Sequence, residues 1–271
     1  MAKEAIQPVQ KVDLTLLCRT FPETSGVQIR RDNLIALIEK TLDSGVELLT
    51  IEGSEGMGKT TLLAQFALAN QPRALSMFVK PASRFAYDPD ILLWDLFNQM
   101  HFAVTAKELP DDQALDEGIF RRLLTSLQRK ARLEHANYYF LVDGLDEIPS
   151  ESANVRDALL RMLPFGFSHF KFVVVGESAG IVGKENRKVP YKPLLITFLT
   201  LDETIQFFSD ATVSRDLIEE IFKTYNGFPA ILASAKRVLQ SGITPERLQE
   251  ELHRSTSNLF ELEWSACSAP R

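Results

Sequence analysis

Apolar positions recur along the chain in two periods, and the changes of period mark out its elements. From Asp32 onward, Leu34, Ile35, Leu37, Ile38 and Leu42 fall on one helix face, and Ser44-Gly45 ends the run. Val46–Ile51 (VELLTI) is a short continuous apolar run, the signature of a buried parallel strand. A glycine-rich stretch follows. Thr60–Asn70 then reads as a helix with Leu62, Leu63, Phe66 and Ala67 turned inward, and Pro72 stops it. The pattern repeats as a strand over 74–79, a helix over 90–100 and a helix over 117–132 with a stripe of Ile119, Phe120, Leu123, Leu124 and Leu127. A strand at 138–142, a helix at 155–162 and strands at 170–175 and 194–198 complete it. Strands alternating with helices predict an α/β fold, a parallel sheet covered by helices on both faces.

Past Leu201 the alternation ends. Thr200 and Glu203 have the spacing of a capping box. Helical patterns then occupy 202–210, 214–225 and 229–240, and a fourth runs from Pro245 to about His253. We therefore expect three parts: an arm over residues 1–28, an α/β domain over 29–201 and a small all-helical domain over 202–271.

Composition narrows the class little. With 45% hydrophobic and 24% charged residues among 271, the chain has ample material for a core. Its net charge of -6 gives no general attraction to nucleic acid or anionic membrane, so neither is an expected partner. The pairs Arg30-Arg31 and Arg121-Arg122 read as solvated helix faces. Cys18 and Cys267 stand near opposite ends and the four His are scattered, so no thiolate–imidazole metal site is expected. The expected setting is reduced and cytoplasmic, without a leader or a membrane span.

The chemistry is in the glycine-rich stretch. Gly53-Ser54-Glu55-Gly56-Met57-Gly58-Lys59-Thr60 fits G-x-x-x-x-G-K-[ST] at every fixed position, between an apolar strand and an amphipathic helix. The glycines let backbone N–H groups converge on an anion, and the following helix presents its N-terminal dipole to phosphate. Lys59 can reach the outer phosphates, the Thr60 hydroxyl can ligate magnesium, and Thr61 can donate to an inner phosphate. The expected ligands are ATP or ADP with Mg2+.

The strand at 138–142 runs into Asp143-Gly144-Leu145-Asp146-Glu147. Ligands of parallel sheets sit at the carboxyl ends of strands, so Asp143 is placed to hold the magnesium shell. Asp146 or Glu147 is placed to orient the attacking water, with Glu147 reaching further.

Together, GSEGMGKTT and YYFLVDGLDEI resemble the signal-transduction ATPases with numerous domains, the STAND class, and most closely its NACHT branch. Tyr225–Leu232 (YNGFPAIL) resembles the G-x-P motif of that class's helical domain. The resemblance spans roughly residues 28 to 240 and implies a nucleotide switch, with Pro229 against the base or sugar. On sequence alone, Gly227-Phe228-Pro229 is equally an interhelical turn, Gly ending one helix and Pro starting the next. Two departures stand out. Where the class carries an arginine after the next strand, this chain has Gly176-Glu177-Ser178, with Lys184 or Arg187 as the nearest substitutes. Class members also continue into a winged helix, which would begin about where this sequence stops.

Three functions compete. The first is an ATPase module whose nucleotide state controls conformation and self-association or protein partners. The second is a P-loop kinase or AAA+-type ATPase; the basic segment 181–192 keeps a kinase lid open as a reading. The third is a nucleotide-binding scaffold without hydrolysis.

Overall fold

The computed structural model describes residues 13–23, 29–79, 88–148, 152–176 and 189–254. In chain order the first part carries α1 (Leu14–Leu17), α2 (Asp32–Asp43), β1 (Leu48–Glu52), α3 (Lys59–Ala69), β2 (Ala74–Phe78) and α4 (Pro89–Thr105). It continues with α5 (Glu117–Glu134), β3 (Tyr138–Asp143), α6 (Ala153–Met162), β4 (Phe170–Val175) and β5 (Tyr191–Leu195). The five strands form one sheet in the order β2-β3-β4-β1-β5, every neighbouring pair parallel. Every residue of β2 and β3 is buried, as expected for strands with helices on both faces. The core gathers Leu75, Met77, Leu96, Phe97, Leu127, Phe140, Phe172 and Val174.

The last strand differs from expectation. The apolar run at 194–198 suggested a strand there, but β5 is Tyr191–Leu195, paired in register with Leu48–Glu52. An edge strand does not need an apolar run: Tyr191, Lys192, Pro193 and Leu195 are exposed, and an edge position tolerates Pro193. Ile196 and Leu199 are buried beyond the strand.

The opposite edge, β2, is covered by side chains. The amide of Gln99 on α4 accepts from Ser76 N (2.8 Å) and donates to Ser76 O (2.7 Å), imitating one residue of an added strand. Thr20 Oγ1 accepts from Phe78 N at 3.3 Å. Thr20 is itself held by Asp95 on α4, whose carboxylate is fully buried and accepts from Arg19 N, Thr20 N and Thr20 Oγ1 at 2.8, 2.8 and 2.6 Å. Asn98 donates to Leu17 O, and Phe21 packs edge-on against Phe78. The described part of the arm, residues 13–23, is thus tied to the α/β unit by buried polar groups. An open sheet edge would otherwise invite another strand.

By contacts the chain divides into two compact units. One draws on Met1–Glu23, Arg31–Glu52 and Thr60–Leu195; the other on Thr24–Arg30, Gly53–Lys59 and Ile196–Arg271. The second unit carries α7 (Leu201–Phe207), α8 (Arg215–Tyr225), α9 (Pro229–Gln240) and α10 (Pro245–Arg254). Its core is Leu199, Phe208, Leu217, Ile221, Leu232, Ala235, Val238 and Leu248. The capping box at α7 forms both of its bonds, Glu203 N to Thr200 Oγ1 and Thr200 N to the Glu203 carboxylate. Lys236 on α9 is buried, donates to Phe207 O and pairs with Asp210, fastening α9 to the end of α7.

Candidate functional site

The loop begins where β1 ends and finishes where α3 starts at Lys59. Gly56 and Gly58 have φ of 78° and 83°, values that side chains resist, which explains glycine at both positions. Met57 is buried; Ser54, Glu55 and Thr60 are exposed, and Thr61 is half-buried. Lys59 folds back across the loop, its Nζ donating to Gly53 O (2.8 Å) and Ser54 O (3.0 Å). Among the described residues, no protein acceptor takes the backbone N–H groups of residues 54 to 58. Five unanswered donors beside an ammonium group fit a polyphosphate, because an anion would satisfy them together.

The loop is buttressed from within its own unit. Ala230 N, in the first turn of α9, donates to Gly56 O at 3.0 Å. Phe228 lies over Gly56: a Cβ there would stand 3.1 Å from its ring and 2.7 Å from Ala230 Cβ. A Cβ on Gly53 would stand 2.5 Å from a methyl group of Ile196. Helix α9 has no side-chain N-cap, and the loop carbonyl fills that place. Pro229 occupies the first position of α9, while Asn226 and Gly227 turn the chain out of α8 with φ of 51° and 73°. Leu199 N donates to Gly227 O at 2.9 Å, which pins this turn. The interhelical-turn reading of Gly227-Phe228-Pro229 therefore holds in the structure.

On the sheet, β1 and β3 are separated by β4 and run parallel, so Glu52 and Asp143 end at the same edge. Asp143 is buried and closes β3, and its carbonyl accepts from Val79 N at 3.0 Å. Gly144 follows with φ of 76°, and a Cβ there would come within 2.6 Å of Val79 O. Asp146 and Glu147 lie on the short 3-10 turn Leu145–Glu147 and are exposed. Glu177, Ser178, Lys184, Arg187 and Cys267 lie outside the described residues. Among the described residues, no group of three or more His, Cys, Asp or Glu could hold a metal, and no helix is long and apolar enough to cross a membrane.

Sequence reasoning named the loop, the acidic turn and Pro229. It passed over Ile196, Phe198, Phe228 and Ala230, which gather around the loop or its buttress. Phe198 had been counted into a strand, and Phe228 was only the variable position of a three-residue motif.

Residues 29–175, more than half of the chain, match the AAA ATPase domain family, and the chain belongs to it. It is thus a P-loop NTPase of the AAA+ type. A search of curated protein sequences gives no match. Among solved structures it is similar to the Walker-type ATPase paby2304 of Pyrococcus abyssi, with TM-score 0.60 and 15% identity over 88% of this chain and 75% of that one. It is also similar to the structure of Drosophila ORC bound to DNA, with TM-score 0.50 and 14% identity over 93% and 69% of the two chains. At such identities the likeness is one of fold.

Proposed function

We propose that this chain is an ATP- and ADP-binding ATPase module that works as a nucleotide-controlled switch in signalling, of the STAND type and NACHT-like. The observation that carries the reading is the loop itself: five backbone donors without a protein acceptor, with Lys59 at their side. In this reading the N–H groups of residues 54 to 58 cradle the phosphates, Lys59 neutralises the outer ones, and Thr61 donates to an inner one. Thr60 and Asp143 would hold a magnesium ion, which would supply charge neutralisation for the phosphates. Glu147, with Asp146 as the alternative, orients the attacking water. Turnover is slow, below the ~1–100 s⁻¹ typical of kinases, because Gly176-Glu177-Ser178 stands where the STAND class carries an arginine.

The switch reading is supported by the bond from Ala230 to Gly56. A nucleotide that changes the shape of the loop changes the cap of α9, and a ligand shifts a conformational equilibrium only through such differential contacts. Self-association or protein partners would read that change. Nucleic acid stays open as a partner: the acidic balance spoke against it, but a structural neighbour is itself bound to DNA.

Titration calorimetry with Mg-ATP and Mg-ADP tests the reading. Wild type should bind both, and Lys59→Ala should abolish tight triphosphate binding while circular dichroism stays unchanged. Equal affinities in the two proteins would overturn the loop assignment.

A further inference from the structure

Helix α5 carries a charge pattern opposite to that of the chain. The chain has a net charge of -6, yet α5 holds Arg121, Arg122, Arg129, Lys130 and Arg132 against only Glu117 and Glu134. Both acids are already taken, Glu117 by Arg121 and Glu134 by Lys130. Arg122, Arg129 and Arg132 are exposed, and none of them makes an ion pair among the described residues. Helical spacing gathers them on one face with the exposed Thr125 and Ser126, while Ile119, Leu123, Leu124, Leu127 and Ala131 are buried on the other. Asp116, the N-cap, stands near Arg122: a Cβ on Gly118 would lie 3.1 Å from its Oδ1 and 3.6 Å from an Arg122 nitrogen. The helix dipole accounts for Arg132 in the last turn, but not for Arg122 and Arg129 before it. Arg129 and Arg132, one turn apart, repel each other.

We propose that the outer face of α5 is a docking surface for double-stranded DNA, held through its phosphate backbone without readout of the bases. This surface is independent of the phosphate-loop reading. The face offers three guanidinium groups and two hydroxyls and carries no carboxylate of its own, so its complement is a polyanion. The planar guanidinium fork matches phosphate oxygens in pairs, which a point charge does not. Arg122 and Arg129 are two turns apart, about 10.5 Å along the helix axis. That is about three steps of the 3.4 Å rise between phosphates of one strand, so neighbouring arginines reach successive phosphates of one backbone. A bound backbone also removes the repulsion between Arg129 and Arg132. A membrane surface fits less well: apart from Leu133 near its end, the apolar face of α5 lies in the core and has nothing to insert into lipid.

The test is fluorescence anisotropy of a labelled duplex DNA against the full chain, over a series of salt concentrations. Wild type should bind duplexes of unrelated sequence equally, with log affinity falling against log salt at a slope of about -3, one unit for each of three phosphate contacts. Arg129→Gln with Arg132→Gln should weaken binding about tenfold at low salt and reduce the slope by about two. Glutamine is a good helix former and both sites are exposed, so circular dichroism and Mg-ADP binding should match wild type. Lys40→Gln with Arg161→Gln, which removes two exposed cations on α2 and α6, should leave DNA affinity as it is. The proposal is overturned if wild type fails to bind the duplex at low salt, or if the two double variants weaken binding alike. Binding to vesicles of phosphatidylserine and phosphatidylcholine that needs Arg129 and Arg132, with none to the duplex, overturns it in favour of a lipid surface.

Discussion

At the scale of single residues, the two acidic positions after β3 have different environments and should separate in experiment. Asp143 is buried at the end of the strand, whereas Glu147 stands exposed on the turn that follows. Asp143→Asn should weaken Mg-ATP binding more than Mg-ADP binding, because the triphosphate carries more charge for a magnesium ion held at Asp143 to offset. Titrations showing equal losses would assign Asp143 to structure. Glu147→Gln should leave both affinities near wild type and slow single-turnover hydrolysis, trapping the triphosphate. An unchanged rate would move the water-orienting role elsewhere, Asp146 first. The positions of these residues were legible in the sequence because they follow directly on the apolar run of β3. Gly144 was legible only as part of a motif. Its reason, the carbonyl of Val79 standing where a side chain would be, depends on β2 lying beside β3.

At the scale of elements, the latch between α4 and the arm shows what periodicity leaves out. Asp95, Asn98 and Gln99 are buried polar residues on a helix whose presence over 90–100 the sequence shows. Nothing local reveals that Gln99 will cover a strand edge or that Asp95 will gather four donors from residues some seventy-five positions away. The arm itself, which lacks periodicity, was legible only as a segment without a domain of its own. Cys18 sits in this latch, donating to Asp95 and to Ser76 O. Burial, and next the Asp95 charge, push its thiol up to about 12 from an ordinary 9.0. A raised value means that the folded chain keeps the thiol neutral. Its contribution to stability is complete below pH 9.0 and is lost as pH rises toward about 12. At pH 8 the Cys18 peptide should therefore resist alkylation, since the thiolate is the nucleophile. Asp95→Ala strands buried donors, which should cost about 3 kcal/mol in denaturant unfolding and expose Cys18 to alkylation. Unchanged stability and an unreactive Cys18 in that variant would show that the latch holds nothing.

At the scale of the molecule, the alternation of strands and helices and the helical tail were both legible, because each is a matter of periodicity and chain length. What was not legible is that the phosphate loop keeps company with the tail. Its residues Gly53–Lys59 share a compact unit with Ile196–Arg271, through Gly56, Phe228, Ala230 and Ile196. That association is the physical basis of the proposed switch, since a loop that caps α9 cannot rearrange around phosphates without disturbing the cap. Amide hydrogen exchange with and without Mg-ADP reads this coupling directly. The account predicts that ADP slows exchange both in the loop and at residues 228–232 at the start of α9, and that Lys59→Ala abolishes both effects. Protection confined to residues 53–61, with α9 exchanging at the same rate whether or not ADP is bound, would contradict it.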